Sequence, residues 1–213
     1  TVNIADGGPA VVRVAIGSTE PSSTNSSMVP DRPSGQHAWL YVRDGSASIP
    51  LEPGEYEIVV HRGLTHEAHQ QEIEIRSGET TRISADLVKS VNTKGLWSLD
   101  PHTHASPSAD GKISMSGRLI VNAAHGVDVH FGTDHDHIAD YRELIRPLGI
   151  QRHLASIVSD EVSPITPGHH NVYPLEVEAD AVNGGAANWW TLWNTFENTD
   201  DLYTLVRQMQ SDG

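Results

Sequence analysis

Nine of the 13 histidines in this chain lie between His102 and His170, and they come with carboxylates at the ends of short apolar runs. His102-Thr103-His104 follows a run through Leu96–Leu99. Thr133-Asp134-His135-Asp136 closes a run through Val127–Gly132, Glu161 closes a third through Ser156–Val162, and Gly168-His169-His170-Asn171 opens a fourth through Asn171–Val177. This pattern leaves few folding solutions. Residues i and i+2 of an extended segment point the same way, so His102 and His104 can reach one point. Asp110, in the turn Ser106-Pro107-Ser108-Ala109-Asp110-Gly111, can swing a carboxylate back toward them. Gathering so many titratable groups costs desolvation free energy unless a cation neutralises the carboxylates and occupies the imidazole lone pairs. Histidine and carboxylate donors without thiolate suit Zn²⁺, Mn²⁺ or Fe²⁺.

The periodicity changes near residue 92, and the fold class expected is α/β plus all-β: an all-β domain over residues 1–92 and an α/β domain over 93–213. In the first part Val11–Ile16 reads as a strand and Gly17–Gly35 as a Ser/Thr/Pro-rich loop. After the Pro53-Gly54 turn, Tyr56, Ile58 and Val60 alternate with outward positions, the period of a half-buried strand. Gln70–Arg76 repeats the pattern with Ile73 and Ile75 inside, Ser77-Gly78-Glu79 turns, and Thr81–Leu87 returns. Short strands at this spacing predict a small β-sandwich. His37, His61, His66 and His69 have no convergent carboxylates and read as ordinary strand or surface residues. In the second part, Leu119, Ile120, Ala123 and Ala124 have helical spacing with Gly126 as the C-cap glycine. A further helix is expected over Ile138–Leu148, and Leu202, Leu205, Val206 and Met209 give an amphipathic one near the end. Helices alternating with apolar strands indicate a parallel sheet or barrel, whose functional groups collect at the C-terminal strand ends.

A formal net charge of −14 argues against a nucleic-acid partner and against an anionic membrane, both of which are bound through Lys and Arg clusters. There is no cysteine, which excludes disulfides, thiolate zinc sites and a cysteine nucleophile. No apolar run is long enough to span a bilayer and the first residues are not a signal peptide. Beginning at Thr1 without Met, the chain is expected to be either a processed form or an artificially shortened one; removal of a signal makes the expected location outside the cytoplasm, periplasmic or extracellular.

The ordered set Asp100-Pro101-His102-Thr103-His104, Ser108-Ala109-Asp110-Gly111, Gly126-Val127-Asp128 and Thr133-Asp134-His135-Asp136 resembles the opening of a PHP (polymerase and histidinol phosphatase) domain. Its continuation, Ser159-Asp160-Glu161-Val162-Ser163 and Gly168-His169-His170-Asn171-Val172-Tyr173-Pro174-Leu175, is similar to the CehA/McbA-like branch, which includes carbamate hydrolases. The Pro-Gly-x-Tyr hairpin at residues 53–56 resembles the carboxypeptidase-regulatory-like sandwiches appended to many exported enzymes. The resemblance covers about residues 95–177. It implies the first half of a distorted TIM-like (β/α)7 barrel after the sandwich, holding two or three divalent transition metal ions. Carried over by position, His102 and His104 bind one ion with Glu161, Glu161 bridges to a second held by His169, and Asp110 and His135 serve a third. Asp100 and Asp134 are read as carboxylates that orient the imidazoles. His170 stands where the family has an aromatic or apolar residue and is left out, and His125, His130, His137 and His153 match no role.

Clustered divalent ions lower the pKa of bound water to about 7 and stabilise developing negative charge. The expected activity is hydrolysis of a small-molecule ester: phosphoric, carboxylic or carbamic. Basic residues near the motifs are sparse (Lys112, Arg118, Arg142, Arg146, Arg152), which tilts the expectation toward a less charged ester. Two alternatives stand beside it. One is a metal-dependent protease or self-processing protein, and the other a non-catalytic metal-containing binding module that uses the sandwich. A Ser/His/Asp mechanism is less attractive, because no nucleophile-elbow motif surrounds Ser106 or Ser108. The barrel of such a family needs about 200–250 residues, and its pattern ends with further histidines that this chain lacks after His170. A second polypeptide is therefore expected to complete it, the C-terminal remainder of the same precursor after cleavage near Gly213.

Overall fold

The computed structural model describes residues 2–4, 8–18, 36–164 and 168–189, together with Thr204 and Arg207. Apart from Thr204 and Arg207, the helix expected around Leu202–Met209 lies outside the described residues, as does most of the loop expected over Gly17–Gly35. The chain divides into two compact units, Thr1–Leu96 with Ala123–Gly126, and Trp97–Asn122 with Val127–Gly213. The protein is mixed α/β, richer in strand than in helix.

The first unit carries β1 (Val2–Ile4), β2 (Gly8–Pro9), β3 (Val12–Ser18), β4 (Gln36–Val42), β5 (Gly54–His61), β6 (His69–Ile75) and β7 (Ala85–Leu87). Four of them form an antiparallel sheet in the order β4-β3-β5-β6, and β2-β1-β7 forms a second, smaller sheet. The alternation read in the sequence sets the buried face: Tyr56, Ile58 and Val60 are buried while Glu55, Glu57 and Val59 are not. The register places Ile16 opposite Ile58 and Val14 opposite Val60, so apolar partners share one side, and each such side chain contributes roughly 1.5–3 kcal/mol on full burial. Ala85 and Leu87 of β7 join the same core. The turn of Ser77–Glu79 forms with Gly78 at φ +76°, a conformation glycine adopts without a Cβ clash. Beyond it the expectation fails. The strand expected over Thr81–Leu87 shrinks to Ala85–Leu87 and pairs in parallel with β1, Val2 opposite Ala85 and Ile4 opposite Leu87. The Thr81 hydroxyl donates to Glu74 O at 3.0 Å, taking a carbonyl that a returning strand would have used.

The second unit carries β8 (Leu99–Thr103), α1 (Met115–Ala124), β9 (Val129–Gly132), α2 (Arg142–Ile145), β10 (Ala155–Val158), β11 (Asp160–Val162) and β12 (His170–Val172). β8, β9 and β10 form a parallel sheet in the order β10-β9-β8, and β11 pairs with β12 antiparallel. α1 starts where the Ser114 hydroxyl accepts the Gly117 amide at 3.1 Å, an N-cap bond. It ends at Gly126, φ +76°, with Val127 N bonded to Asn122 O at 3.0 Å, which satisfies a terminal carbonyl.

Three expected elements differ. The helix over Ile138–Leu148 contracts to Arg142–Ile145, and just before it the Asp140 carboxylate accepts the Arg142 amide at 2.8 Å, a local side-chain bond of the kind that competes with helix. Downstream, Pro147 brings no N–H and Gly149 turns out at φ +73°. The strand over Ser156–Val162 breaks at Ser159 into β10 and β11, which belong to different sheets. The strand over Asn171–Val177 stops at Val172, just before Pro174, which has no N–H to donate to a ladder.

Candidate metal centre

The parallel sheet brings three chain segments to one end. His102 lies in the last residues of β8 and His104 just past them, His135 follows β9, and Glu161 follows β10 after Ser159. An isolated parallel bridge joins His135 to Glu161, so the direction of β9 and β10 persists beyond the ladder. The hairpin β11–β12 then sets His169 beside Glu161.

Glu161 is the hub. Its side chain is 4% exposed, yet four imidazoles surround its carboxylate. Oε2 lies 3.0 Å from His104 Nε2, 3.1 Å from His102 Nε2 and 3.3 Å from His135 Nδ1. Oε1 lies 3.0 Å from His169 Nδ1. On the other side of the same rings, Asp110 Oδ1 is 3.2 Å from His104 Nδ1 and Oδ2 is 3.6 Å from His135 Nε2. Among the described residues, three groups of side chains could hold a metal ion: His102, His104 and Glu161; His104, Asp110 and His135; His135, Glu161 and His169. The donor set fits the ion. Two donors about 2.1 Å from a tetrahedral cation sit about 3.4 Å apart, the range of separations seen here. All six side chains named as metal ligands in the sequence reading are brought together.

Two serines, which sequence reasoning weighed only as nucleophiles or not at all, sort the ring nitrogens. Ser108 Oγ donates to Asp110 Oδ1 at 2.6 Å and accepts the His135 amide at 3.2 Å. A hydroxyl has one proton and two lone pairs, so its 3.1 Å contact with His104 Nδ1 is an Nδ1–H donating to it, and Nε2 of His104 keeps its lone pair facing Glu161. Ser163 Oγ donates to Glu161 O at 2.6 Å, so its 2.6 Å contact with His135 Nδ1 is again an Nδ1–H bond, and Nε2 of His135 is left facing Asp110. The spacing gave a signal: Ser108 precedes Asp110 by two residues and Ser163 follows Glu161 by two.

The two carboxylates expected to orient imidazoles do otherwise. Asp134 is fully buried. Oδ1 accepts the Ala105 amide at 2.7 Å and Oδ2 the Tyr141 hydroxyl at 2.6 Å, so it fixes the backbone next to His104 rather than a ring. Burial raises its pKa, opposed by those two hydrogen bonds. Asp100 lies opposite His130 in the β8–β9 register and, among the described residues, makes no hydrogen bond to an imidazole. Asp160, fully buried, is pushed up to about 7 by desolvation, with the neighbouring Asp136, Asp134 and Glu161 adding to it against a backbone hydrogen bond from His137. Among the described residues, its Oδ2 has no hydrogen-bond partner. Asp110, more exposed, is held below the usual carboxylate range, chiefly by the Ser108 hydrogen bond. The acidic surplus beneath the imidazoles favours a bound cation.

Among the described residues, His125, His130, His137, His153 and His170 belong to none of the three groups. In the first unit, His66 Nδ1 meets the Thr65 hydroxyl at 3.0 Å, an ordinary local contact. No described helix is long and apolar enough to cross a membrane. The chain matches no family model, no curated protein and no solved structure.

Proposed function

We propose that the protein is a metal-dependent hydrolase acting on a small-molecule ester, built on a PHP-type barrel preceded by a β-sandwich. The observation that carries this reading is the buried Glu161 carboxylate with four imidazole nitrogens within 3.3 Å. Burying a carboxylate and several imidazoles together is costly without a cation to satisfy them.

The serine hydrogen bonds support a division of the candidate donors. A neutral imidazole has one lone pair, so His104 and His135 each serve one ion. His104 Nε2 joins His102 and Glu161 Oε2. Glu161 Oε1 and His169 would hold a second ion, and His135 Nε2 with Asp110 a third. When bound, divalent ions such as Zn²⁺, Mn²⁺ or Fe²⁺ acidify water toward neutral pH and stabilise negative charge developing on the ester. The chain's own side chains orient that chemistry. Glu161 forms the floor, while His102, His169 and Asp110, each about half exposed or more, border the side from which substrate enters.

The basic residues near the centre support a weakly charged ester over a phosphomonoester. Arg118 Nε donates to His104 O at 2.8 Å, and Arg142 is occupied by Asp140 at 2.8 Å with Glu176 at 3.6 Å. Carbamates and aryl carboxylates are thus favoured. The test is elemental analysis of protein purified without chelators, followed by a screen of aryl carbamates, acetates and phosphates with added Mn²⁺ or Zn²⁺. Bound metal and faster turnover of the uncharged esters are expected. Absence of metal before and after reconstitution overturns the reading. Metal without turnover of any ester favours the protease or the non-catalytic alternative.

A further inference from the structure

We infer that Asp136 is a positioning residue of the metal centre, acting on the His135 ring through Ser163. The inference rests on the metal-centre reading for its consequence, and on hydrogen-bond geometry for its substance.

Asp136 follows His135 with φ +51°, left-handed backbone that costs an L-residue roughly 1–2 kcal/mol and that Asp and Asn tolerate best. Such a conformation persists only where surrounding contacts over-determine it, and here four do. Asp136 N donates to Glu161 O at 3.1 Å. Asp136 O accepts from Asn183 Nδ2 at 3.1 Å. Its Oδ1 accepts both Ser163 N at 3.0 Å and Trp189 Nε1 at 2.7 Å. Trp189 is 3% exposed and packed among Ile138, Val158, Val162, Val172 and Leu175, so the indole is a rigid anchor for the carboxylate.

The carboxylate in turn holds the Ser163 amide. Ser163 is the residue whose hydroxyl, committed as a donor to Glu161 O, accepts His135 Nδ1–H. Asp136 thus reaches the ring beside it by way of a residue 27 positions on. It fixes which nitrogen of His135 carries the proton and which faces Asp110. The Ser163 hydroxyl and the Asp136 amide also donate to the backbone carbonyl of Glu161, so the same clamp holds the backbone of a second candidate ligand. Asn at position 136 tolerates the same backbone and offers the same Oδ1 acceptor, whereas Ala offers neither.

The experiment uses the full chain in two forms. In metal-free protein labelled with ¹⁵N-histidine, the ring nitrogen shifts of His135 report its tautomer. Wild type and Asp136→Asn are expected to show Nδ1 protonated, while Asp136→Ala and Ser163→Ala shift His135 toward Nε2–H or a mixture. In titrations with Mn²⁺ or Zn²⁺, Ser163→Ala and Asp136→Ala are expected to weaken one ion by roughly 10–100-fold, the usual cost of losing such a supporting group, and leave the others unchanged. Ser163→Ala removes a single hydroxyl and carries the test if Asp136→Ala does not fold. Wild-type His135 protonated at Nε2 overturns the inference. So does a wild-type tautomer in Ser163→Ala, or an Asp136→Asn protein that behaves as Ser163→Ala does. A wild type that binds neither metal removes the metal-centre reading, while the tautomer measurement still decides this one.

Discussion

The Tyr141 hydroxyl donates a 2.6 Å hydrogen bond to Oδ2 of Asp134, with both residues almost entirely out of solvent. Asp134 spends its other oxygen on the amide of Ala105, the residue after His104, so the pair holds the start of the loop that carries two of the candidate ligands. Burial, with the Asp134 contact adding to it, pushes the Tyr141 hydroxyl well above its usual range, and it remains a donor at every working pH. Tyr141→Phe leaves a buried carboxylate oxygen unmet, at a cost of about 1.5–3 kcal/mol for a hydrogen bond to a charged group. Urea denaturation of the metal-free protein measures this, and a loss below about 0.5 kcal/mol contradicts it.

Glu161 and His169 should differ in how much metal they release. Glu161 presents Oε2 to His102 and His104 and Oε1 to His169, so in the proposed assignment it would serve two ions and His169 one. Glu161→Gln is expected to lose more equivalents of Mn²⁺ or Zn²⁺ than His169→Ala at equal free metal. Affinity should fall by on the order of 100-fold or more, beyond the range for a supporting group. Inductively coupled plasma mass spectrometry after equilibrium dialysis reads both. Equal losses in the two variants refute the bridging role.

Much of this centre was legible because its determinants are local. His-x-His at a strand end, a His after the next strand and a Glu after the third are fixed by position once a parallel sheet is assumed, and the ordering of β8, β9 and β10 delivers them to one end. What joins distant positions was not legible. The bonds from Asp136 to Ser163 and Trp189 span 27 and 53 residues, and no periodicity announces them. The family resemblance makes Asp134 an orienter of imidazoles, but its hydrogen-bond partners are Ala105 and Tyr141. The same limit explains the secondary structure. The residues from Ile138 have helical spacing, yet the helix starts only at Arg142, and the segment before it is tied to Asp160 and Asn183. Thr81–Leu87 alternates like a strand, but which strand it pairs with depends on β1, about eighty residues earlier by the span of the numbering.

His130 should make the fold acid-sensitive independently of metal. It is fully buried, its Nδ1 meets Ser156 Oγ at 2.9 Å, and among the described residues its Nε2 has no hydrogen-bond partner. Desolvation, with a smaller contribution from Arg118, pushes its pKa from 6.5 down to about 3. The folded-state value is depressed, so the unfolded chain takes the proton first as pH falls. Its contribution is fully present above about 6.5 and is lost progressively as pH drops toward 3. Between pH 7 and pH 5 that amounts to about 2 kcal/mol. His130→Asn retains a group able to reach Ser156 and does not titrate. Compared by urea denaturation of metal-free protein at the two pH values, wild type should lose about 2 kcal/mol more than the variant. Equal losses would show that His130 stays protonated or reaches solvent in the fold.

Gly132 is the last residue of β9, and a Cβ built there would lie 2.3 Å from Cε2 and 2.6 Å from Cδ2 of Tyr141. No side chain fits while the ring stays in place, and the ring is held by its hydroxyl on Asp134 and by His130, whose centroid lies 4.6 Å away. Gly132→Ala must therefore move an anchored aromatic ring rather than the tip of a flexible chain. The expected cost is about 1–3 kcal/mol, typical of overpacking in a filled interior. Two components are combined in that figure, the steric clash itself and the weakened Tyr141–Asp134 bond. A double-mutant cycle separates them. On a Tyr141→Leu background the ring and its hydroxyl are both absent, so adding Gly132→Ala should cost well under half of what it does in wild type, since contacting sites are coupled and not additive. Full additivity across the cycle would mean that the alanine methyl is accommodated by β9 shifting away from the ring. In that case Gly132 is a glycine for some reason other than the close approach of Tyr141.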